Sequence, residues 1–361
     1  MKIGIDIRST LKKPTGIGTY TLNLIKGLAE VDPENSYYLY SRKKVLDFKR
    51  RLPKLPGANF SHCCDYFKNG PSAVLPAVDV FHTSSYDLQR PQNARFIVTI
   101  HDVIIKAYPH GHSKRTIEEI DEKLKKILSE ADTIVADSCN TKSDLTRFYG
   151  TPDSKIHVIY PGINITNKSG ASSKGTNDNH ESYILFVGTL EPRKNVDGLI
   201  RAFDWLKKES GIGHKLFIVG MKGWMFGDIF KAYEKAEFKK DIIFKGYVND
   251  RELRKLYQQA SVFVYPSFYE GFGLPIIEAF GHGAPVVTSK TSSCGEIGAD
   301  AALLIDPSNY KEIAEAILRL INDEKLKERL TKKGVSRARE FTWARTAVEF
   351  LKLFKQSWIV S

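Results

Sequence analysis

The feature that most constrains the fold is a regular alternation of short apolar segments with helix-length segments along almost the whole chain. Six strand-like segments precede residue 165: Lys2–Ile7, Tyr37–Tyr40, Val78–His82, Phe96–His101, Thr133–Ala136 and His157–Tyr160. The clearest helical segments between them are Thr19–Ala29, Thr116–Ser129 and Thr141–Tyr149. Such alternation is typical of βα units with parallel strands, so the sequence predicts an α/β fold with parallel sheets.

A polar segment interrupts this alternation. Residues 165–182 lose their apolar periodicity and are rich in Ser, Gly, Asn and Lys, as expected of a linker. The pattern then restarts with five further strands: Tyr183–Val187, Lys215–Val219, Asp241–Phe244, Val262–Tyr265 and Pro285–Thr288. A chain of 361 residues is long for a single core. We therefore expect Rossmann-like domains at 1–164 and 183–342, joined by 165–182 and facing each other across a ligand cleft.

Composition excludes several classes of protein. With 42% hydrophobic and 27% charged residues, the chain resembles a globular protein, and no apolar run has the length of a membrane span. Lys2 and Asp6 interrupt the first apolar stretch, which argues against a signal peptide. The cysteines show no zinc-like or disulfide-like spacing; they are Cys63, Cys64, Cys139 and Cys294. The expected location is therefore the cytoplasm.

The net charge is +12, and basic residues crowd one segment, residues 42–54. Its basic residues are Arg42, Lys43, Lys44, Lys49, Arg50, Arg51 and Lys54. They are interleaved with apolar residues, so the segment fits a basic amphipathic helix on the anionic inner face of a membrane. A solvated helix face explains the same pattern equally well. No nucleic-acid-binding motif accompanies the charge, so no nucleic-acid partner is expected.

The sharpest local motif is E-G-F-G-L-P-I-I-E, which spans residues 270–278 and follows the strand Val262–Tyr265. Pro275 suits the start of a helix, and a helix N-terminus favours anions. Glycines ahead of that helix let a ligand approach the backbone, so the loop residues are ligand-binding candidates: Gly271, Phe272, Gly273 and Leu274. Glu270 and Glu278 could accept hydrogen bonds from sugar or ribose hydroxyls. The alternative is a surface loop with a glutamate that suits the helix dipole.

A second motif, G-T-L-E-P-R-K-N, spans residues 188–195 between a strand and a helix. Arg193 and Lys194 at a helix N-terminus would oppose the macrodipole, and a bound diphosphate would reverse that unfavourable energy. Arg can bind phosphate oxygens with two donors, while Lys acts as a point charge. Hydrogen bonds to charged groups contribute about 1.5–3 kcal/mol each. The alternative is an exposed, solvated pair of cations.

The amino-terminal half offers two further candidates. Gly16, Ile17 and Gly18 follow the first strand and form a glycine-rich turn into the helix at Thr19, which any tight βα turn could require. His101 ends the strand that begins at Phe96, at a carboxyl end where functional residues collect. A structural histidine at a strand end is the alternative interpretation.

The order of the two motifs, separated by about eighty residues, resembles the retaining GT-B glycosyltransferases of family 4. That family includes bacterial mannosyl- and glucosyltransferases of polysaccharide assembly. The resemblance implies that Glu270 contacts the donor sugar, Glu278 contacts the ribose, and Arg193 and Lys194 bind the diphosphate. It implies that His101 hydrogen-bonds the transferred sugar. The implied catalytic set is therefore His101, Glu270, Arg193 and Lys194.

The same resemblance assigns further donor contacts. They fall on Gly16, Ile17, Gly18, Gly188, Gly220, Tyr247 and Val248, the last two of which would lie beside the nucleobase. It also implies that the final helix, 343–361, returns to the amino-terminal domain.

The implied reaction is retaining transfer of a hexose, with mannose from GDP-mannose as the best match, to a glycan or lipid-linked acceptor. The GDP- or UDP-linked donor is a substrate, and no cofactor is expected. The absence of an Asp-x-Asp motif fits a transferase without a metal, in which Arg193, Lys194 and a helix dipole neutralise the leaving nucleotide. Two alternatives stay open: a nucleotide-sugar 2-epimerase of the same fold, and a non-catalytic module that binds sugar nucleotides or glycans.

Overall fold

A computed structural model describes residues 1–11, 16–42, 51–164 and 181–356. The fold divides into two compact units. The first unit comprises Met1–Lys106, His112–Gly162 and Phe341–Ser361, and the second comprises Ala107–Gly111 and Ile163–Glu340. Most of the predicted linker, residues 165–180, and the core of the basic segment, residues 43–50, lie outside the described residues.

The first unit is built on a seven-stranded parallel sheet with the order β3-β2-β1-β4-β5-β6-β7. The strands are β1 (Lys2–Asp6), β2 (Ser36–Arg42), β3 (Phe60–Asp65), β4 (Val80–Thr83), β5 (Arg95–Ile100), β6 (Thr133–Ala136) and β7 (Ile156–Val158). The helices are α1 (Gly16–Val31), α2 (Ile104–Ala107), α3 (Lys114–Glu130) and α4 (Cys139–Tyr149).

Side chains of the sheet alternate between two buried layers, as the two-residue period of a strand requires. Ile3, Val80 and Ile97 belong to the layer that includes residues of α1. Phe81 and Phe96, their neighbours along β4 and β5, belong to the layer that includes residues of α3. Burial on both faces explains why these strands read as continuous apolar runs.

The second unit is built on a six-stranded parallel sheet with the order β10-β9-β8-β11-β12-β13. The strands are β8 (Tyr183–Val187), β9 (Lys215–Val219), β10 (Ile242–Gly246), β11 (Val262–Tyr265), β12 (Val286–Ser289) and β13 (Leu303–Ile305). The helices are α5 (Val196–Ser210), α6 (Gly227–Lys235), α7 (Asp250–Gln259), α8 (Leu274–Gly281), α9 (Ser292–Gly298), α10 (Tyr310–Asn322) and α11 (Glu324–Ala338).

The last described helix, α12 (Trp343–Lys355), lies in the first unit and contributes Phe350 and Phe354 to the layer that includes α1. A methyl group at Gly162 would lie 2.2 Å from the backbone nitrogen of Trp343, so glycine lets the chain approach this helix closely. Arg95 donates hydrogen bonds to the carbonyl oxygens of Leu353, at 2.7 Å, and Gln356, at 3.1 Å. Residues 357–361 of the predicted final helix lie outside the described residues. In the described part of the chain, no helix is both long and apolar enough to span a bilayer.

Candidate active site

In the second unit, the segment after β8 forms a tight turn that carries the predicted cations. Pro192–Lys194 is one turn of 3-10 helix, and α5 begins only at Val196. Asn195 adopts a left-handed φ of 55°, and its side-chain amide donates to the carbonyl oxygens of Pro266, at 3.2 Å, and Pro307, at 2.6 Å. The prediction that both cations occupy the helix N-terminus is therefore wrong. They lie in the 3-10 turn that precedes the helix, and Asn195, with its left-handed conformation, separates that turn from α5.

Four charged side chains form a compact cluster here, which we call the charge cluster: Glu191, Arg193, Lys194 and Glu270. Arg193 Nη2 lies 2.5 Å from Glu191 Oε1, and Arg193 Nη1 lies 2.5 Å from Glu270 Oε2. Lys194 Nζ lies 2.6 Å from Glu270 Oε1, and Lys194 is only 8% exposed. The alternative of a solvated pair is therefore wrong for Lys194. Two carboxylates balance the two cations within the protein.

Neutral hydroxyl groups complete the charge cluster. Ser267 Oγ donates to Glu270 Oε1 at 2.7 Å, and the Tyr265 hydroxyl donates to the same oxygen at 3.1 Å. Burial alone would raise the pKa of Glu270, but Arg193 and Lys194 outweigh it and lower that pKa to about 2. Glu270 is therefore ionised throughout the neutral range. Burial lowers the pKa of Lys194, partly opposed by Glu270.

The backbone of Glu270 is fixed from two sides. Its N–H donates to Ser292 Oγ at 3.1 Å, and its carbonyl oxygen accepts from Ser293 Oγ at 2.8 Å. The two serines come from the start of α9, which follows β12. Arg193 Nε is buried and has no hydrogen-bond partner among the described residues, so the guanidinium keeps one donor for a ligand.

The motif that contains Glu270 leads directly into α8. Gly273 has a φ of 106°, a conformation that a residue with a side chain rarely adopts, and α8 begins at Leu274. Gly271, Phe272 and Gly273 are buried, whereas Leu274 is half-buried. Phe272 is thus a packing residue at least as much as a candidate donor contact.

Glu278 lies within α8 and has a different environment from Glu270. Its Oε2 accepts a hydrogen bond from the Tyr257 hydroxyl of α7 at 3.0 Å. Burial raises the pKa of Glu278 to about 7, against the opposing effect of that hydrogen bond. No described residue hydrogen-bonds to Oε1, which leaves it open to a hydroxyl donor. The two predicted carboxylates therefore differ in charge state near neutral pH.

Three glycines, Gly188, Gly220 and Gly246, lie at the carboxyl ends of β8, β9 and β10. Gly220 has a φ of 147°, and a methyl group there would lie 1.9 Å from the carbonyl oxygen of Gly188. Its N–H donates to the carbonyl oxygen of Gly246 at 2.9 Å. Close backbone packing thus explains Gly220 without a ligand, whereas a methyl group at Gly188 would lie 3.2 Å from the ring of Phe186. Next to Gly246, the side chain of Tyr247 is 66% exposed and Val248 is half-buried.

In the first unit, His101 and Asp137 form a hydrogen-bonded pair, which we call the His–Asp pair. His101 follows β5 and Asp137 follows β6, and Nδ1 of the ring lies 2.6 Å from Oδ2 of the carboxylate. Burial would lower the pKa of His101, but the negative charge and hydrogen bond of Asp137 outweigh it, and the net shift is upward. Nε2 of the ring is buried and has no hydrogen-bond partner in the described part of the chain.

The predicted glycine-rich turn has a different structure from the one expected. Gly16, Ile17 and Gly18 form the first residues of α1, and neither glycine adopts a positive φ. Gly18 is buried, whereas Gly16 and Ile17 are exposed. The prediction of a loop at 16–18 is wrong, because the helix begins three residues earlier than Thr19. Residues 12–15, which precede it, lie outside the described residues.

The sequence analysis did not identify several functional candidates: Glu191, Tyr265, Ser267, Tyr257 and Asp137. Asp137 could have been predicted, because it directly follows the predicted strand Thr133–Ala136, at the same sheet edge as His101. Glu191 and Ser267 had none, since their importance depends on contacts with distant residues. Within the described ranges, no group of three or more His, Cys, Asp or Glu side chains is arranged to hold a metal ion.

Comparison with known proteins gives consistent results across the chain. Residues 14–167 match the family model described as Glycosyltransferase Family 4, and residues 169–337 match the one described as Glycosyl transferases group 1. The chain is 30% identical to O-antigen chain mannosyltransferase B of Escherichia coli, over 98% of this chain and 100% of that protein.

Two solved structures share the fold. Sucrose-phosphate synthase of Thermosynechococcus elongatus superimposes with a TM-score of 0.78 at 20% identity, covering 99% of this chain and 98% of that one. The Anabaena protein HepE, in complex with UDP and glucose, superimposes with a TM-score of 0.71 at 16% identity, covering 99% and 100%. At these identities the likeness concerns the fold alone, and it confirms the predicted pair of parallel-sheet, Rossmann-like halves.

Proposed function

Because the chain belongs to the group 1, family 4 glycosyltransferases and has their GT-B architecture, we propose that it transfers mannose from GDP-mannose to a glycan or lipid-linked acceptor, with retention of configuration. Transfer of a glycosyl group follows from the family itself. Mannose rests on the similarity to an O-antigen chain mannosyltransferase over the whole chain. The same similarity supports an acceptor that is a growing bacterial glycan.

The single observation that carries the proposal is the charge cluster. Lys194 is buried beside the half-buried Arg193, and Arg193 Nε is a buried donor without a partner among the described residues. A donor diphosphate supplies the anionic oxygens that these groups prefer. When the diphosphate binds, it neutralises part of the positive charge of Arg193 and Lys194 that Glu270 neutralises in the free protein. Glu270 then gains the freedom to accept hydrogen bonds from the sugar hydroxyls.

The same groups stabilise the departing nucleotide. Negative charge develops on the leaving phosphate in the transition state, and fixed cations in a dry environment stabilise it strongly. We therefore propose that no metal and no cofactor take part. Glu278 would accept from the ribose hydroxyls through Oε1, while Tyr257 holds Oε2 at 3.0 Å.

Retention is proposed to occur by attack on the same face of the sugar, with the departing phosphate helping to deprotonate the acceptor. The charge cluster argues against Glu270 as a nucleophile. Both of its oxygens are held by cations, and its pKa is lowered to about 2, so its nucleophilicity is low. NMR of the anomeric configuration in the product tests this mechanism, and an inverted linkage would exclude it.

The decisive experiment measures nucleotide release from GDP-mannose, UDP-glucose, UDP-galactose and UDP-N-acetylglucosamine without added metal. Release from GDP-mannose alone, lost in Lys194→Ala, is the expected result. Lys208→Ala is the matched control, because that lysine is exposed and its nearest carboxylate oxygen, on Glu237, lies 3.8 Å away. Calorimetry on the same samples completes the test. If no donor binds, the assignment of the charge cluster to the donor is wrong.

Two other activities give different results in the same assay. A nucleotide-sugar 2-epimerase would alter the free donor without an acceptor, which analysis of the recovered nucleotide sugar detects. A binding module would hold the donor without turnover in the presence of any acceptor glycan. Similarity favours the transferase over both, because the chain is 30% identical to a mannosyltransferase over 98% of its length.

Peripheral membrane contact through residues 42–54 is a separate proposal. It rests on the basic composition of the segment, of which residues 43–50 lie outside the described residues. Arg42 contributes less than its charge suggests, because its Nε lies 3.8 Å from the buried carboxylate of Asp65. Sedimentation with vesicles of anionic lipid tests the proposal. Replacing all seven basic residues between Arg42 and Lys54 by Ser should abolish cosedimentation, and unchanged binding would refute the proposal.

A further inference from the structure

The His–Asp pair is positioned by the sheet and not by a flexible loop. In the register of β5 and β6, Ile100 is paired with Ala136, the last residue of each strand. His101 and Asp137 are the next residues along these two parallel strands, so their side chains leave the same edge side by side. Asp137 is only 4% exposed, which restricts its carboxylate to few orientations. The 2.6 Å contact between Nδ1 and Oδ2 follows from this placement.

The contact determines which ring nitrogen remains available. Burial raises the pKa of Asp137, and His101 opposes that shift by its charge and hydrogen bond. The ionised carboxylate can only accept, so Nδ1 then carries the hydrogen that it donates to Asp137. Nε2 then bears a lone pair when the ring is neutral and an N–H when the ring is protonated. Nε2 is buried and has no hydrogen bond to any described residue. Leaving such an atom unpaired costs about 1–3 kcal/mol, a cost that a substrate hydroxyl would remove.

We propose that Asp137 is the positioning residue of His101: by holding Nδ1 it directs Nε2 to a hydroxyl of the sugar substrate during transfer. The inference deepens the proposed function and rests on it. No covalent step is involved, because the ring forms only a hydrogen bond to the substrate. Asp137 itself acts through the imidazole and does not touch the sugar.

The surroundings of the ring show that Asp137 has no substitute. Ionisable or charged groups face His101 from several elements: Tyr20 of α1, His82 of β4, Tyr86, Asp102 and Asp137. The ring of Tyr20 meets the imidazole edge-on at 4.7 Å, and His82 hydrogen-bonds to Thr99. Asp102 accepts from the backbone N–H of Ile104 at 3.0 Å. Among the described residues, only Asp137 hydrogen-bonds to the ring itself.

Asp102 therefore provides a matched control. Asp137→Asn and Asp102→Asn each remove one negative charge near the ring, but only the first alters a hydrogen bond to it. We expect Asp137→Asn to lower kcat by about 10-fold to 100-fold with little change in KM for the donor. Asp102→Asn should lower kcat much less. The pH midpoint that belongs to His101 should move to lower pH in Asp137→Asn, and by a smaller amount in the control, because both lose a charge that favours the imidazolium.

A double variant separates positioning from a general structural role. If Asp137 acts through His101, Asp137→Asn lowers kcat no further in the His101→Ala background. An equal loss in both backgrounds would overturn the inference. So would a wild-type kcat and an unshifted pH profile in Asp137→Asn.

Nitrogen-15 NMR of the His101 ring gives a readout that requires neither turnover nor a variant. At a pH where the ring is neutral, the hydrogen should reside on Nδ1. A neutral ring with its hydrogen on Nε2 would overturn the inference, and this measurement decides alone if Asp137→Asn fails to fold. The proposed function fails separately, when the wild-type protein turns over no donor.

Discussion

The charge cluster and the His–Asp pair both lie at the carboxyl ends of parallel strands, yet they differ in how completely their polar atoms are paired. In the charge cluster, both oxygens of Glu270 are occupied by cations, and its pKa is lowered to about 2. In the His–Asp pair, one ring nitrogen has no partner among the described residues, and the pKa of the imidazole is shifted upward from its ordinary value. Glu270 in the first region is therefore ionised near neutral pH, whereas in the second region the charge of Asp137 favours the protonated form of the imidazole.

The difference concerns how each region would respond to a ligand. A compensated cluster must exchange internal ion pairs for those of a ligand, so its affinity depends on how well the ligand reproduces them. An unsatisfied nitrogen loses no existing contact when a substrate hydroxyl arrives. We therefore expect the charge cluster to select for an anionic diphosphate, and the His–Asp pair to respond to the position of the sugar.

The largest expected effect comes from breaking the charge cluster. Lys194→Ala removes one of the two cations that hold Glu270, and we expect kcat/KM to fall by about 10²–10³-fold. Loss of one partner from a buried pair should also lower the free energy of unfolding by about 3–5 kcal/mol. Donor turnover and chemical denaturation measure the two effects. Lys208→Ala should change neither, and a similar loss in that control would indicate a non-specific effect of charge.

A smaller effect concerns Glu278, whose pKa lies far above that of Glu270 in the same motif. Its pKa of about 7 means that nucleotide affinity should rise as the pH increases through neutrality, because the ionised oxygen accepts more strongly from ribose. The expected gain is roughly tenfold, equivalent to about 1.4 kcal/mol. Calorimetry across this range measures it. A pH-independent affinity in the wild type, or an unchanged pH dependence in Glu278→Gln, would contradict the assignment.

Stability should respond to Glu278 with the opposite sign. The folded pKa of about 7 lies above the reference value of 4.5, so the stabilising neutral form is fully present below 4.5 and is lost as the pH rises through 7. Glu278→Gln stays neutral and keeps an acceptor for Tyr257. It should therefore raise the free energy of unfolding above neutral pH by about 1–3 kcal/mol, and have little effect in mild acid. Thermal unfolding at both pH values checks this, and equal effects at both would refute it.

The smallest expected effect concerns the stability of the His–Asp pair. The upward pKa shift of His101 means that its contribution to stability is greatest below its ordinary pKa and decreases as the pH rises through the folded value. His101→Gln should therefore destabilise the protein more in mild acid than in mild alkali. Denaturant unfolding at the two pH values measures the difference. A greater loss in alkali would contradict the upward pKa shift of His101.

The sequence predicted the parts of the fold and site that depend on local pattern. β6, β8, β9 and β11 have the predicted bounds, because each is a continuous apolar run between turn signals. β3 was missed, since Ser61, His62 and Asp65 give it the composition of a loop, and its edge position leaves it half-buried. β13 was missed because it has only three residues.

The site was predictable only where one motif carried it. Glu270 and Lys194 are both central to the charge cluster, and each stands in a conspicuous segment next to a strand end. Glu191 was not assigned a role, because its carboxylate matters only through the turn that brings it to Arg193. From the sequence, the cations of the motif at 188–195 and the carboxylate of Glu270 had no visible connection. Their mutual neutralisation is a three-dimensional property that spacing along the chain does not encode.

The placement of α12 in the first unit has a consequence for synthesis on the ribosome. The first unit lacks α12 until the residues after Phe341 have been synthesised, roughly 180 residues after Gly162. At about 5–20 residues per second, that interval lasts on the order of 10–35 s. During this time the apolar side chains of α1 that later pack with Phe350 and Phe354 have no native cover. The second unit, whose main segment is continuous, can finish folding first, so the order of completion along this chain is the reverse of the order of translation.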